Sequence, residues 1–510
     1  MKIIRSICTL LFGVAVVLFF GLAYPHHLHY QEQYQLFLFD STYWWEVVKL
    51  SGGIADLLGR FCTQFFLFAW VGALIIGAML TAVQLQTLQL VNSWTSQAAK
   101  PSEGWLYGLS FVPSFLLWLF LLDENALLGG VWAVLLTLHA SWLFSKLPKG
   151  RVQRVLLVAA IPILYWMVGP VCIVFFFLQA LRPQRSAWYC GVFVLLAAMP
   201  ILLSYYLPVP ADKLWYGIHY HRYPTEIPVL LWAAAFSIFV LALIIRVLTH
   251  WNKALQTSFL IPLFSFLSVF IGMGSLVWTS SNFKAEKVMQ YDFMACHQQW
   301  NRILETINAE KPNNQIGVTV QNLALAMHGL LGDHLFDYHQ NGLHGLLPDV
   351  ESDATSPMPT AEAFYQLGMI NVAQRTVFEA QEAILDFQKS ARCYKRLAQT
   401  NLINGSYEVA RKYLTALQKT LFYRGWANET LSLLGDEKAI AKHPEYGHLR
   451  QFAYDKDFYF SDHVPPEMLE SLYYGNTDNR LAYEYLRAYY MLTGDRESYA
   501  KLLLHTSTKQ

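Results

Sequence analysis

The 73 charged side chains are spread unevenly over the 510 residues: the first 280 hold 24 of them, all outside a series of long apolar runs, and the last 230 hold 49. An uncharged apolar run of about 20 residues is the length that crosses a bilayer as a helix. The division therefore separates a polytopic transmembrane helix bundle, 1–280, from a water-soluble half, 281–510. Composition agrees, with 55% hydrophobic and 14% charged residues where a soluble domain carries roughly a quarter charged. The halves carry +6 and −5, and neither is basic enough for a nucleic-acid partner.

Apolar runs near Ile7–Ala23, Phe65–Gln84, Trp105–Leu122, Ala126–Phe144, Ala187–Leu207, Pro228–Leu248 and Phe259–Trp278 predict about seven full spans. The first follows Lys2 and Arg5 as a signal sequence would, but its length and the spans behind it favour an uncleaved helix. Val155–Leu181 is long for one helix and short for two, and Pro162 and Gly169-Pro170 would break it. If this stretch is a broken hairpin near 155–181, eleven basic residues face the cytoplasm and four face outward; if it crosses once, the ratio falls to 9:6. The positive-inside rule favours the hairpin, with a cytoplasmic N-terminus and a periplasmic C-terminal half in a bacterial inner membrane.

The same topology places Glu32, Asp40, Glu46, Asp56, Asp123, Glu124, Asp212 and Glu226 outside and only Glu103 inside. The first outer loop, YPHHLHYQEQYQLFLFDSTYWWEVVKLSGGIADLLGRF, is aromatic enough to lie along the bilayer surface. Within it Ile54, Leu57, Leu58 and Phe61 fall on one helical face and Asp56 and Arg60 on the other, which predicts an interfacial helix. His26, His27 and His29 here, and His219 and His221 in DKLWYGIHYHRYP, are on one side of the membrane; if the two loops meet, His26, His29, His219 and His221 supply imidazoles for a metal, and otherwise they are boundary residues. Trp215, Tyr216, Tyr220 and Arg222 mix aromatic faces with cationic donors, a combination that stacks on sugars and holds phosphate, or equally anchors a loop among headgroups.

An acidic, aromatic surface loop after the first helix, followed by a bundle and a periplasmic domain, resembles the layout of integral-membrane glycosyltransferases that use lipid-phosphate sugar donors. The resemblance implies a lipid-linked glycan as substrate and a loop carboxylate as base or metal ligand, with a divalent cation as cofactor. Glu32 and Asp40 stand at the matching place, although Glu32-Gln33 replaces the paired acids often found there.

From Phe283 onward the pattern is helical. CYKRLAQTNLINGSYEVARKYLTAL, with Gly405 at a turn followed by Tyr407, Ala410 and Leu414, resembles part of a tetratricopeptide repeat. FYQLGMINVAQRTVFEAQEAI, with Gly368 and Ala380, and AYEYLRAYYMLTGDRESYAKLL, with Gly494-Asp495, are further units of an irregular array. QNLALAMHGLLGDHLFDYHQNGLHGLLP reads as another helical pair, turning at Gly332-Asp333. With YQEQYQLFLFD and AYYMLTGD, these segments resemble an uncharacterised family of bacterial polytopic membrane proteins with a helical-repeat tail, a resemblance that covers the whole chain and supplies no activity.

The expected fold is all-α, a transmembrane bundle followed by a tetratricopeptide-like domain. The expected function is to present a periplasmic binding domain for a protein or peptide during cell-envelope assembly, the bilayer being the other partner. A lipid-linked glycosyltransferase is the alternative. A transporter is the weaker third reading, because no charge lies mid-span.

Overall fold

The computed structural model describes residues 2–94, 103–148, 150–181, 188–250, 260–348, 357–385, 388–453 and 465–507. Its fold is all-α, and among the described residues the only extended pairing is an isolated bridge between Ala126 and His221. The chain forms two compact units, the first made of Met1–Glu32 and Phe39–Phe283, the second of Gln33–Leu38 and Lys284–Gln510. Six residues that follow the first apolar run thus fold with the C-terminal part of the chain, which no periodicity in the sequence announces.

The first unit contains α1 (Lys2–Leu18), α2 (Pro25–Gln33), α3 (Ser41–Val48), α4 (Gly53–Thr63), α5 (Ala69–Trp94), α6 (Glu103–Leu109), α7 (Val112–Phe120), α8 (Leu128–Ser145), α9 (Arg151–Val168), α10 (Cys172–Ala180), α11 (Trp188–Ser204), α12 (Ala211–Tyr216), α13 (Val229–His250) and α14 (Ile261–Ser280). Six helical stretches among the described residues are long and apolar enough to cross a membrane: Lys2–Ala23, Ala69–Ser93, Leu128–Ser145, Arg151–Ala180, Val229–Val247 and Ile261–Ser280. Gly104–Phe120 and Trp188–Ser204 are apolar but shorter.

The run Trp105–Leu122, expected as one span, is two helices meeting at Ser110–Phe111. Pro113 in the first turn of α7 has no N–H to continue the ladder from α6. The break gains a partner, because the Gln84 amide of α5 donates to Ser110 Oγ at 2.9 Å and Thr9 of α1 bonds Gln84 Oε1 at 3.2 Å. Uncharged polar bonds of this kind join apolar helices without a hydrophobic driving force. Around them pack Phe12, Phe111, Phe115 and Trp118, with Phe12 edge-on to Phe115 at 5.1 Å.

Helix α4 forms where its periodicity predicts, but its orientation is inverted. Asp56 and Arg60, expected to face water, are 1% and 8% exposed, while Phe61 is 38% exposed. Small residues decide this. Gly59 lies against Gly129 of α8 so closely that a Cβ at 59 would stand 2.4 Å from the Gly129 nitrogen. Only a face of Gly52, Gly53, Ala55 and Gly59 can approach a neighbouring backbone that closely, and Asp56 and Arg60 lie on that face.

The second unit contains α15 (Phe283–Cys296), α16 (Trp300–Glu310), α17 (Gln315–Met327), α18 (Leu331–His334), α19 (Pro357–Leu367), α20 (Ile370–Glu382), α21 (Ala391–Ile403), α22 (Tyr407–Gln418), α23 (Arg424–Leu433), α24 (Glu437–Lys442), α25 (Tyr446–Phe452), α26 (Pro465–Gly475), α27 (Arg480–Thr493) and α28 (Arg496–Ser507). Consecutive helices pack as pairs, α19 with α20, α21 with α22 and α27 with α28. Gly368, Gly405 and Gly494 take left-handed backbone at the three turns, a conformation that disfavours other residues. Ala380 and Ala410 are fully buried.

The pair expected at Gly332-Asp333 does not form: α17 turns instead at left-handed Gly329, and α18 is a single turn followed by 3-10 turns. Contacts to α27 take those residues, since Glu484 accepts the Gly332 N–H at 2.8 Å and Arg487 pairs with Asp333 at 2.6 Å. Cys296 and Cys393 are not joined in a disulfide.

Gly59→Val will push α4 off the α8 backbone and destabilise the full-length protein by about 3 kcal/mol, the upper end of ordinary overpacking. Gly191→Ala, at a site with nothing within 4 Å, will change stability by less than about 0.5 kcal/mol. Thermal unfolding in detergent measures both.

Candidate functional site

Two loops of the first unit are tied by backbone. Tyr220 accepts from the Leu127 N–H at 3.0 Å, and Arg222 donates its N–H to Asn125 O at 2.8 Å. Helix α2 joins them: Gln31 donates to Ala126 O at 3.1 Å, and Arg222 Nη1 donates to the Tyr30 hydroxyl at 3.1 Å. The histidine-bearing loops therefore do meet.

Their imidazoles nevertheless go to separate places. His26 and His29 lie side by side on α2, ring centroids 5.8 Å apart. His219 Nδ1 is 3.4 Å from Asp56 Oδ2, and His221 Nε2 is 3.0 Å from Asp123 Oδ2. Among the described residues, no group of three or more His, Cys, Asp or Glu is arranged to hold a metal ion. The metal reading of His26, His29, His219 and His221 is corrected by geometry: the two loops meet through the Arg222–Tyr30 bond, while His26 and His29 stay together on α2 and each histidine of the second loop faces its own carboxylate.

The Asp56 cluster is deeply buried. Arg60 grips Asp56 through Nε and Nη2, both at 2.9 Å, and Tyr43 also hydrogen-bonds Arg60. Burial alone would raise the Asp56 pKa, but the Arg60 guanidinium and His219 hold it below the usual carboxylate value. A buried ion pair of this geometry is worth little against an apolar pair, yet losing one member strands the other charge.

Asp123 anchors a second cluster. His221 Nδ1 lies 3.1 Å from the Tyr223 N–H and 3.2 Å from its carbonyl oxygen, and Nε2 is turned towards Asp123. Burial lowers the His221 pKa, and the bond and charge of Asp123 more than restore it, leaving it above the ordinary value. His27 is fully buried, and burial outweighs the attraction of Asp123 and a backbone bond with Leu121, pulling it down to about 4.

Tyr220 does structural work in the stretch Arg151–Ala180. The chain there runs through α9, a 3-10 turn at Gly169–Val171 and α10. The Tyr220 hydroxyl donates to Val168 O and receives the Val171 N–H at 3.4 Å. Beneath its ring lies Gly217, where a Cβ would be 2.2 Å from the ring.

Beside this turn opens a pocket of about 330 Å³. Its walls are Tyr165 of α9, Pro170 and Ile173 at the turn, Leu196 of α11, Trp215 and Tyr216 of α12, and Ile227, Val229, Trp232 and Phe236 at the start of α13. Two polar groups of the wall residues are directed into the protein: Tyr165 donates to Leu214 O at 2.6 Å and Trp232 Nε1 to Tyr216 O at 3.2 Å.

The sequence-derived substrate set Trp215, Tyr216, Tyr220 and Arg222 is thus divided. Trp215 and Tyr216 line the pocket, Tyr220 supports the turn behind it, and Arg222 holds Tyr30. Of the two predicted carboxylates, Asp40 is the N-cap of α3, accepting from the Thr42 and Tyr43 N–H groups at 2.9 and 3.3 Å, and Glu32 is buried at 5% exposure. Neither lines the pocket. The wall residues from α9, α11 and α13 were missed because inside an apolar run nothing distinguishes a cavity wall from a packed or lipid-facing position; the Gly169-Pro170 break was the available signal.

A family model described as a family of unknown function, DUF6057, matches residues 1–510. No curated protein and no solved structure matches the chain.

The two perturbed histidines oppose each other in pH. His27 stays neutral in the fold while the unfolded chain protonates near 6.5, so its contribution is intact above pH 6.5 and is lost as pH falls towards about 4, by up to about 3 kcal/mol. The His221 contribution is present below 6.5 and lost as pH rises through its raised value. Unfolding temperatures of the purified protein between pH 5 and 8 will show His27→Asn flattening the acid limb and His221→Gln steepening it.

Proposed function

The chain belongs over its whole length to the family of unknown function DUF6057, and we propose that it is a multi-pass bacterial inner-membrane protein whose second unit faces the periplasm as a tetratricopeptide-like binding module for cell-envelope assembly. The observation that carries this reading is the seating of Gln33–Leu38. It runs from the last residue of α2 through a turn at Tyr34 into a stretch with no helix or strand, and Tyr34, Gln35, Leu36, Phe37 and Leu38 are all buried. The Leu36 N–H donates to Lys389 O at 3.0 Å, and Arg392 Nη1 donates to Gln33 Oε1 at 3.2 Å. A helical array that grips a non-helical stretch of chain through main-chain and arginine contacts has the means of binding peptides.

Arg392 is prepared for this by a two-pronged pair with Asp292, at 2.5 and 2.8 Å. One turn along α21, Arg396 pairs with Glu362 at 2.6 Å and lies 3.6 Å over the Tyr365 ring. Tyr365 and Gln399 both donate to Glu445. This polar face of α21 fixes the side chain that meets the segment. The buried Ala380 and Ala410 and the left-handed glycines at the turns support the repeat reading.

The orientation rests on the basic residues and the helix pattern at 151–180. Left-handed Gly169 sits beside Gly52 and Tyr220, while Leu181 O at the far end of α10 accepts from Arg246 at the far end of α13. A stretch that returns to the side it left has this arrangement, and it is the reading that puts eleven basic residues inside. The glycosyltransferase reading is not favoured, since Asp40 is committed to capping and the aromatic pocket carries no carboxylate.

A reporter active only outside the cytoplasm, fused after Gln510, will be active; an inactive fusion overturns the orientation. In a strain lacking the protein, the full chain will restore resistance to envelope-damaging detergent and 1–283 alone will not. Equal rescue by the truncated chain removes the binding role from the second unit.

A further inference from the structure

We propose that the pocket beside the Gly169 turn is a site for one acyl chain of a membrane phospholipid. The pocket's chemistry selects hydrocarbon. Its wall is almost wholly carbon, and the Tyr165 hydroxyl and Trp232 indole N–H are spent on the Leu214 and Tyr216 carbonyls. A sugar or peptide entering there would lose its hydrogen bonds to water and find an almost wholly apolar wall in return. An acyl chain loses nothing of the kind.

The source is set by continuity with the surrounding surface. The helices that wall the pocket present further exposed apolar side chains outside it: Ile163 on α9 at 53%, Val194 on α11 at 65% and Val240 on α13 at 49%. At the mouth Val229 is 68% exposed. In a multi-pass protein these side chains face lipid, so the pocket mouth opens onto acyl chains rather than water. This rests on the membrane reading above.

Size and rim fit a single tail with its headgroup at the boundary. The volume of about 330 Å³ equals roughly eleven water volumes of ~30 Å³ and lies at the low end of small-molecule sites. Helix α12 carries Trp215 and Tyr216 in the wall, and next to them the Asp212–Lys213 pair, 3.7 Å apart. Aromatics beside charge are what a headgroup boundary selects.

The test uses full-length protein in nanodiscs made with a phosphatidylglycerol or phosphatidylethanolamine that carries a diazirine midway along one tail. After irradiation, adducts will be at least fivefold denser on peptides holding Ile173, Leu196 and Trp215 than on the α14 peptide holding Ile271, a lipid-facing residue at 64% exposure. Filling the pocket with Leu196→Phe and Ile173→Phe will cut the pocket adducts about tenfold and leave those at Ile271 unchanged. Ile173→Ala, which enlarges the pocket, will retain them, and so separates occupancy from folding damage. Pocket adducts no denser than those at Ile271, or insensitive to filling, overturn the acyl-chain site alone. An absence of adducts at Ile271 as well overturns the membrane reading beneath it.

Discussion

The first unit depends on one backbone-to-backbone approach, Gly59 of α4 against Gly129 of α8. At that distance no side chain fits between the helices, so the face of α4 that meets α8 is chosen by smallness rather than by hydrophobicity. Asp56 and Arg60 are carried inward by that choice and neutralise each other, with His219 and Tyr43 completing the cluster. The same contact sets the loop geometry, since Gly129 begins the helix whose preceding residues, Ala126 and Leu127, hold the strand-like stretch through Tyr220 and Arg222. From there the Tyr220 hydroxyl reaches the Gly169 turn, and the turn forms one wall of the apolar pocket. The chain of dependence runs from two hydrogen atoms in place of Cβ groups to the shape of a cavity.

Most helices were legible in the sequence, because apolar length and 3.6-residue periodicity are local properties. Orientation was not, and α4 shows why. Its amphipathic pattern is real, but amphipathicity names two faces without saying which solvent each meets. In water the apolar face turns inward; beside lipid a helix gains nothing by hiding Ile54 and Phe61 and can spend its small, polar face on packing. The Gly52, Gly53, Ala55 and Gly59 pattern was the available signal, and its weight depends on knowing the medium. The failed pair at Gly332 has a different cause: a distant helix, α27, supplies Glu484 and Arg487, and long-range partners leave no trace in local spacing.

The site residues were partly legible for a related reason. Aromatic side chains concentrated in a short loop do mark a special surface, and Trp215 and Tyr216 line the pocket. Residue type did not reveal which neighbouring aromatic was a strut: Tyr220 is buried with its hydroxyl on a backbone carbonyl at a turn 52 residues upstream, whereas Tyr216 is exposed at the pocket. Acidic residues were similarly ambiguous. Asp40 stands before Ser-Thr-Tyr at a helix start, and a carboxylate in that position satisfies orphan N–H groups by preference. Histidines in two loops suggested a shared ligand, whereas each found a separate electrostatic task.

The inclusion of Gln33–Leu38 in the second unit bears on the order of synthesis. Those residues leave the ribosome about 250 positions before Lys284, the next residue of the unit to which they belong. During that interval Tyr34, Leu36, Phe37 and Leu38, all buried in the finished protein, have no helical array to join. The second unit, in turn, lacks part of its own structure until it recovers a stretch laid down before most of the apolar helices existed. Loop-closure entropy opposes that recovery, but its cost grows only slowly with the length of chain between the two pieces. A chain that stops after residue 283 therefore carries a stretch whose partners never arrive, and a chain that begins at 284 is a second unit missing its earliest piece.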